Sequence, residues 1–143
     1  QNWIWNEHLF MVNLAHMDFK RYLEESAKSL DSEIQGILED WLKEVKKTNL
    51  KLVPLAQAFI EACEGGKRLR GTLVKLGYEL GKDHLGGVLA NRSATIRGVK
   101  EIINVGAAYE IFHAAILAHD DIIDQSPLRR GQPSLFKKLG ASL

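Results

Sequence analysis

Asp120, Asp121 and Asp124 form the pattern Asp-Asp-x-x-Asp directly after an apolar run, and they are the carboxylates of this 143-residue sequence best spaced to act together. On a helix, residues four apart lie one above the other, so Asp120 and Asp124 share a face. At a helix C-terminus they also meet the negative end of the macrodipole. That placement costs roughly 0.3 to 1 kcal/mol per carboxylate, which a bound cation would relieve. Carboxylate oxygens are hard ligands, and Mg²⁺ held by a few of them keeps positions open for water and phosphate oxygens. Asp120, Asp121 and Asp124 are therefore the candidate metal ligands. The plain alternative is a solvated acidic helix end.

Two basic clusters supply the complementary chemistry. Gly65-Gly66-Lys67-Arg68-Leu69-Arg70 sets two glycines and three cations at a helix start, where unpaired backbone N–H groups and the positive dipole end favour a phosphate. Lys67 and Arg70 share a face, and Leu69 is expected to point inward. Arg129-Arg130-Gly131-Gln132-Pro133-Ser134 offers two guanidiniums in a loop shaped by Pro127 and Gly131, and arginine's planar fork suits bidentate contact with phosphate. His113, roughly 10 Å before Asp120 along the same helix face, adds a hydrogen-bonding ring. Ile116 between them, and Ala115, Phe112, Ala108 and Val105 nearby and upstream, are apolar. The surface thus passes from polyanion chemistry to hydrocarbon, which suits a ligand with a phosphorylated head and an apolar tail. Plain alternatives stand beside each feature: solvated surface for the basic patches, a satisfied core histidine for His113, and core packing for Ala115 and Phe112.

The elements that must position these groups read as helices throughout. Leu23, Ala27, Leu30, Ile34, Leu38, Trp41 and Val45 recur every three or four residues, the signature of one amphipathic helix from Phe19 to near Asn49. Pro54 suits the first turn of a second helix with a buried face of Leu55, Ala58, Phe59 and Ala62, ended by Gly65 and Gly66. A third carries the stripe Leu69, Leu73, Leu76 and Leu80 and is closed by Gly81. Gly86, Gly87 and Asn91 mark a connection, and Ser93 is the expected cap of a fourth helix running to about Asp124. Pro127 forces a stop, and Ser134 caps a fifth helix. No strand pattern is visible, so the fold class is an all-α helical bundle.

Composition narrows the classes. Nineteen basic and 18 acidic side chains nearly cancel, so no global field draws the chain to nucleic acid. With 45% hydrophobic residues it can fill one core. Cys63, the single cysteine, has no internal disulfide partner, which points to a reducing, cytoplasmic setting. The apolar run over residues 105–118 is expected to be too short for a transmembrane segment. Both ends of the sequence look cut.

GGKRLR, EIFHAAILAHDDIID and RRGQPS, in that order, resemble the trans-isoprenyl diphosphate synthases, also called polyprenyl synthetases, over about residues 53 to 140. The resemblance implies an isoprenoid synthase fold around a central cavity, a homodimer, and Mg²⁺ as cofactor. It implies that Asp120 and Asp124, with Asp121 near them, bind the Mg²⁺ that grips an allylic diphosphate, and that Arg129 touches that diphosphate. Lys67, Arg70, His113 and Arg130 would hold isopentenyl diphosphate. The implied reaction is head-to-tail prenyl transfer, with Asp120, Asp124 and Arg129 as catalytic residues and with Phe112, Ala115 and Ile116 along the path of the growing tail, setting product length. Asp31, on the first helix, is expected to matter little. Three departures are mild: Gly71 stands where proline is common, Ser134 where threonine is usual, and Phe136 where many members have histidine. A fourth is larger, because the family's second aspartate-rich motif does not occur in these residues. The sequence is therefore expected to be the N-terminal half of a longer domain and inactive alone. Other readings are a non-catalytic or partner-dependent subunit of the same fold, a class I terpene cyclase, and a di-iron bundle using Glu110-x-x-His113.

Overall fold

Asp18 starts the first helix, α1 (Phe19–Thr48), because its carboxylate accepts hydrogen bonds from the backbone N–H groups of Lys20 and Arg21, and Lys46 and Lys47 complement the dipole in the last turn. A computed structural model describes residues 18–84 and 92–140, with side chains over 18–81 and 98–140. Along α1, Ser26, Leu30, Ile34 and Leu38 are buried, so the centre of the expected stripe is the core face. Trp41, near the stripe's end, lies open on one side and meets Phe59 edge to face at 5.9 Å.

A short 3-10 turn (Leu50–Leu52) leads into α2 (Val53–Cys63), with Pro54 in its first turn where no N–H is needed. The buried residues of α2 are Ala56 and Cys63, with Phe59 and Ile60 partly buried. Ala62, expected inward, is exposed. The face is rotated because Cys63, Phe59 and Ile60 close on Ile34, Leu38 and Ala107, together with Ile111 and Ala114.

α3 (Leu69–His84) departs further from expectation, running past Gly81 and leaving Leu69 and Leu73 44% and 59% exposed. Its inward face is Gly71 and Thr72, with Lys75 half-buried. Gly71 decides this orientation. A Cβ there would stand 2.8 Å from Leu30 Cδ1 and 3.0 Å from the Gly106 carbonyl oxygen, and one on Gly106 would stand 3.0 Å from the Gly71 oxygen. The two helices meet backbone to backbone, with Leu30 filling the gap. Of the polar groups on the same face, the fully buried Thr72 hydroxyl has no partner among the described residues, whereas Lys75 donates to Ser26 Oγ at 3.2 Å, lies 4.1 Å from the centre of the Tyr22 ring and pairs with Glu79, which also accepts from the Tyr22 hydroxyl.

The expected connection at Gly86, Gly87 and Asn91 lies outside the described residues, and Ser93, expected as the cap, is instead the second residue of the helix that follows. α4 (Arg92–Ile123) packs against α1, α2 and α3. By length and composition its stretch Gly98–Ile123 is able to cross a membrane, which corrects the expectation drawn from residues 105–118. Its inner face nevertheless packs as a bundle helix does, burying Ile103, Ala107, Glu110, Ala118 and Asp121, and both carboxylates are hydrogen-bonded within the bundle.

Beyond α4 the chain turns at Gln125, and a two-residue antiparallel ladder pairs β1 (Leu128–Arg129) with β2 (Gln132–Pro133). Arg130 and Gly131 between them both have positive φ, 50° and 78°, as a two-residue hairpin of type I′ demands. A strand pair this short leaves no alternating pattern in sequence. Ser134 caps α5 (Leu135–Leu139) by accepting from the Lys137 N–H, and its hydroxyl donates to the Ser126 carbonyl oxygen at 2.6 Å. The described residues are all-α apart from that hairpin.

The crossing leaves Leu30 with no exposed surface. In the complete protein, Leu30→Ala is expected to cost about 2–5 kcal/mol, and Gly71→Ala about 1–3 kcal/mol although it adds a methyl group. Urea midpoints for both variants equal to wild type would refute the close crossing.

Candidate functional site

Four pieces of chain converge at one end of the bundle: the end of α4, the turn from α2 to α3, the hairpin and the start of α5. The acidic motif divides there. Asp120 and Asp124 are exposed, whereas Asp121 is 3% exposed and holds Arg129 through two bonds, Nε to Oδ2 at 2.6 Å and Nη2 to Oδ1 at 2.7 Å. Asp121, grouped by sequence with the metal ligands, is thus engaged by a guanidinium. Among the described residues no three His, Cys, Asp or Glu side chains gather closely enough to hold a metal by themselves. Two outward carboxylates one helical turn apart do fit Mg²⁺, which is commonly held by one or two carboxylates with water and substrate phosphates completing its shell.

The basic turn is built from left-handed backbone: φ is 70° at Gly65, 101° at Gly66 and 48° at Arg68. Sequence reading placed Leu69 inward; Arg68 is the residue that turns in. It is 8% exposed, with Nε on Asp31 Oδ1 at 2.6 Å and Nη2 on the Cys63 carbonyl oxygen at 2.9 Å. Asp31, expected to matter little, is its partner. Lys67 and Arg70 remain exposed.

At the start of α3, the Gly71 N–H donates to Glu110 Oε1 of α4 at 2.9 Å, so a buried carboxylate answers one of the open amides of that helix end. The departure at Gly71 therefore has two uses, since a proline would lack this donor and would collide with Gly106. Glu110 was noticed in sequence only as part of Glu-x-x-His. A glutamate on the inward face of an apolar helix was the available signal that it had a partner.

The hairpin joins the second basic cluster to the first. The Arg130 guanidinium lies against the glycine turn, its Nη1 3.1 Å from where a Cβ on Gly66 would stand. His113 is half-buried between them. Its pKa is lowered, first by burial and then by the charge of Arg70, with Arg130 and Arg129 adding to the effect and Glu110 opposing it. Arg70, His113, Arg129 and Arg130 therefore share one electrostatic neighbourhood; Lys67 is in the same turn, outside that group. Glu110, His113, Asp121, Arg129 and Arg130 border a cavity of about 390 Å³ floored by Ala114, Leu117 and Ala118.

Phe112, Ala115 and Ile116 do not line that cavity. They lie on the outer side of α4, all exposed, Phe112 at 64%. Val105, Tyr109, Phe112 and Ile116 form an apolar stripe that the described residues leave exposed and that the helical repeat brings onto the face of Asp120, with Ala115 about 100° to its side.

Comparison with known proteins decides what this arrangement belongs to. The sequence profile of the family described as polyprenyl synthetase matches residues 53–143. The chain belongs to the polyprenyl synthetase family. It is 28% identical over 144 residues to solanesyl diphosphate synthase 2 of Arabidopsis thaliana, covering 97% of this chain and 31% of that protein. It is 29% identical over 124 residues to a geranylgeranyl diphosphate synthase of Saccharolobus solfataricus, covering 86% of this chain and 30% of that protein. With heptaprenyl diphosphate synthase component 2 of Geobacillus stearothermophilus it shares 34% identity over 86 residues, 59% of this chain and 22% of that protein. No solved structure matches the chain. The chain thus spans about a third or less of the length of these curated polyprenyl synthetase relatives.

The surroundings of His113 carry a pH dependence. Its folded pKa lies below the ordinary 6.5, so the unfolded chain takes up the proton first as pH falls. Stability is therefore lost between about pH 6.5 and the lower folded value, then levels off. His113→Asn should shrink the difference in urea midpoint between pH 7.5 and pH 5.5. Inorganic pyrophosphate bound among these arginines should raise the His113 pKa in an NMR titration; an unmoved histidine resonance would speak against an anion beside it.

Proposed function

We propose that the complete protein is a Mg²⁺-dependent isoprenyl diphosphate synthase that joins isopentenyl diphosphate to an allylic diphosphate head to tail, and that this chain supplies one wall of its site. The observation that carries this reading is the surface of α4, where the outward Asp120 ends an apolar stripe of Ile116, Phe112, Tyr109 and Val105. Carboxylate and hydrocarbon lie on one helix face over roughly 22 Å from Asp120 to Val105, as a diphosphate head and isoprenoid tail require. Relatives named as solanesyl and geranylgeranyl diphosphate synthases support the substrate class.

Within that reading Asp120 and Asp124 hold Mg²⁺, which when bound offsets charge on a departing diphosphate. Arg129 employs Nε and one Nη2 hydrogen on Asp121, so both hydrogens of Nη1 and the second of Nη2 are left for the allylic diphosphate. That pairing fixes the guanidinium before the ligand arrives, the preorganisation that makes electrostatic stabilisation effective. Arg70, His113 and Arg130, with Lys67 beside them, take the diphosphate of isopentenyl diphosphate. The apolar stripe carries the tail and keeps water from the reacting carbons. A homodimer in the cytoplasm belongs to the same proposal. Cys63, buried and with its thiol pushed up to about 11, takes no part in the chemistry. A second reading, a subunit that needs a different partner, is favoured by the relative named as component 2 of a heptaprenyl diphosphate synthase. Activity of the purified complete protein alone separates the two.

In that protein Asp120→Asn and Asp124→Asn are each expected to lower kcat at least ~100-fold. Asp40→Asn, whose carboxylate pairs on the surface of α1 with Lys43, should stay within about twofold. Equal effects from all three would remove the metal role. Ala115→Phe is expected to shorten the product and Phe112→Ala to lengthen it, checked by chromatography of the dephosphorylated alcohols. One chain length throughout would contradict a tail running along α4.

A further inference from the structure

The turn that presents Lys67 and Arg70 is held from beneath by Arg68. A non-glycine residue at φ 48° sits in a sparsely populated region of backbone space, a conformation that persists where surrounding contacts over-determine it. Here those contacts belong to the same residue's side chain: one guanidinium reaches Asp31 of α1 and the carbonyl oxygen of Cys63 at the end of α2. Arg68 thereby ties the turn to two helices that precede it, while Glu110 ties an amide three residues on, that of Gly71, to α4. The basic residues on either side of Arg68 are left exposed.

We propose that Arg68, held by Asp31, is a positioning residue for the diphosphate site: it does not touch the ligand but sets the backbone from which Lys67 and Arg70 reach it. The inference rests on the assignment of Lys67 and Arg70 to isopentenyl diphosphate. Lysine cannot replace Arg68, because a single ammonium does not span both acceptors with arginine's planar geometry. Asp31 is the cleaner handle, since it lies on α1 and outside the cavity that His113 borders.

The test uses the complete protein with Arg68→Lys, Asp31→Asn and Asp31→Glu, alongside Lys67→Ala and Arg70→Ala. Expected are a rise of roughly tenfold in KM for isopentenyl diphosphate in Arg68→Lys and Asp31→Asn, with kcat and the allylic KM little changed. Affinity for inorganic pyrophosphate, read by calorimetry with allylic diphosphate absent, should fall in parallel, and Asp31→Glu should restore much of both. A merely structural role behaves differently, because a partly unfolded sample loses apparent kcat while its folded fraction keeps the same KM. Unchanged KM and pyrophosphate affinity in Arg68→Lys and Asp31→Asn overturn the proposal, as does an equal rise in the allylic KM. If Lys67→Ala and Arg70→Ala weaken isopentenyl diphosphate while the Arg68 and Asp31 variants do not, only this inference fails. If none of them does, the assignment of the turn fails with it.

Discussion

Two helices approach to backbone distance only where neither carries a side chain at the crossing, and α3 and α4 do so at Gly71 and Gly106 with Leu30 of α1 wedged beneath. The rest of the arrangement follows from that contact. It sets which side of α3 faces inward, brings the first amides of α3 within reach of Glu110, and brings the basic turn before α3 to the half of α4 that ends in Asp120 and Asp124. A methyl group at either glycine would have to displace Leu30 or a carbonyl oxygen, and the repositioning would be felt where the charged groups meet. Packing at the centre of the bundle thus governs geometry at its end.

The ion pairs near the site serve orientation more than stability. Removing charges from water is expensive, and a buried or half-buried pair often does little better than a well-packed apolar substitute. Asp121 with Arg129 and Arg68 with Asp31 nonetheless make short contacts, and each joins two different segments of the chain. The first fixes the hairpin to α4, and the second fixes the basic turn to α1. Arginine is the cation in both, as suits a rigid fork that specifies direction as well as distance.

What was legible in the sequence was what depends on local rules. The core positions Leu30, Ile34 and Leu38 followed from periodicity, Pro54 marked the first turn of α2, and Ser134 capped α5 as expected. Membership of the polyprenyl synthetases followed from three short motifs whose order and spacing survive in the sequence itself. The inward face of α3 was only half legible: of its four leucines Leu76 and Leu80 are half-buried, whereas Leu69 and Leu73 are exposed because the glycine contact at Gly71 sets the orientation of the helix start. The partners of Asp121 and Arg68 were illegible for a similar reason: sequence places each beside residues of like charge, and only the fold reveals an oppositely charged partner, eight residues away for Asp121 and 37 for Arg68. Phe112, Ala115 and Ile116 were assigned to a cavity wall, and the described residues leave that wall open.

The hairpin between Arg129 and Gln132 sets thermostability against function at a single residue. Arg130 has a φ of 50°, a conformation that glycine or asparagine adopts with less strain, yet its guanidinium is what meets the glycine turn. Selection for heat resistance alone would therefore favour replacing this arginine, removing a cation from the site as the loop became more comfortable. On the proposed role of Arg130, a thermostable variant altered at this position would be a better-folded protein with a poorer grip on its anion, and a screen that reads only solubility or melting temperature would not register the loss.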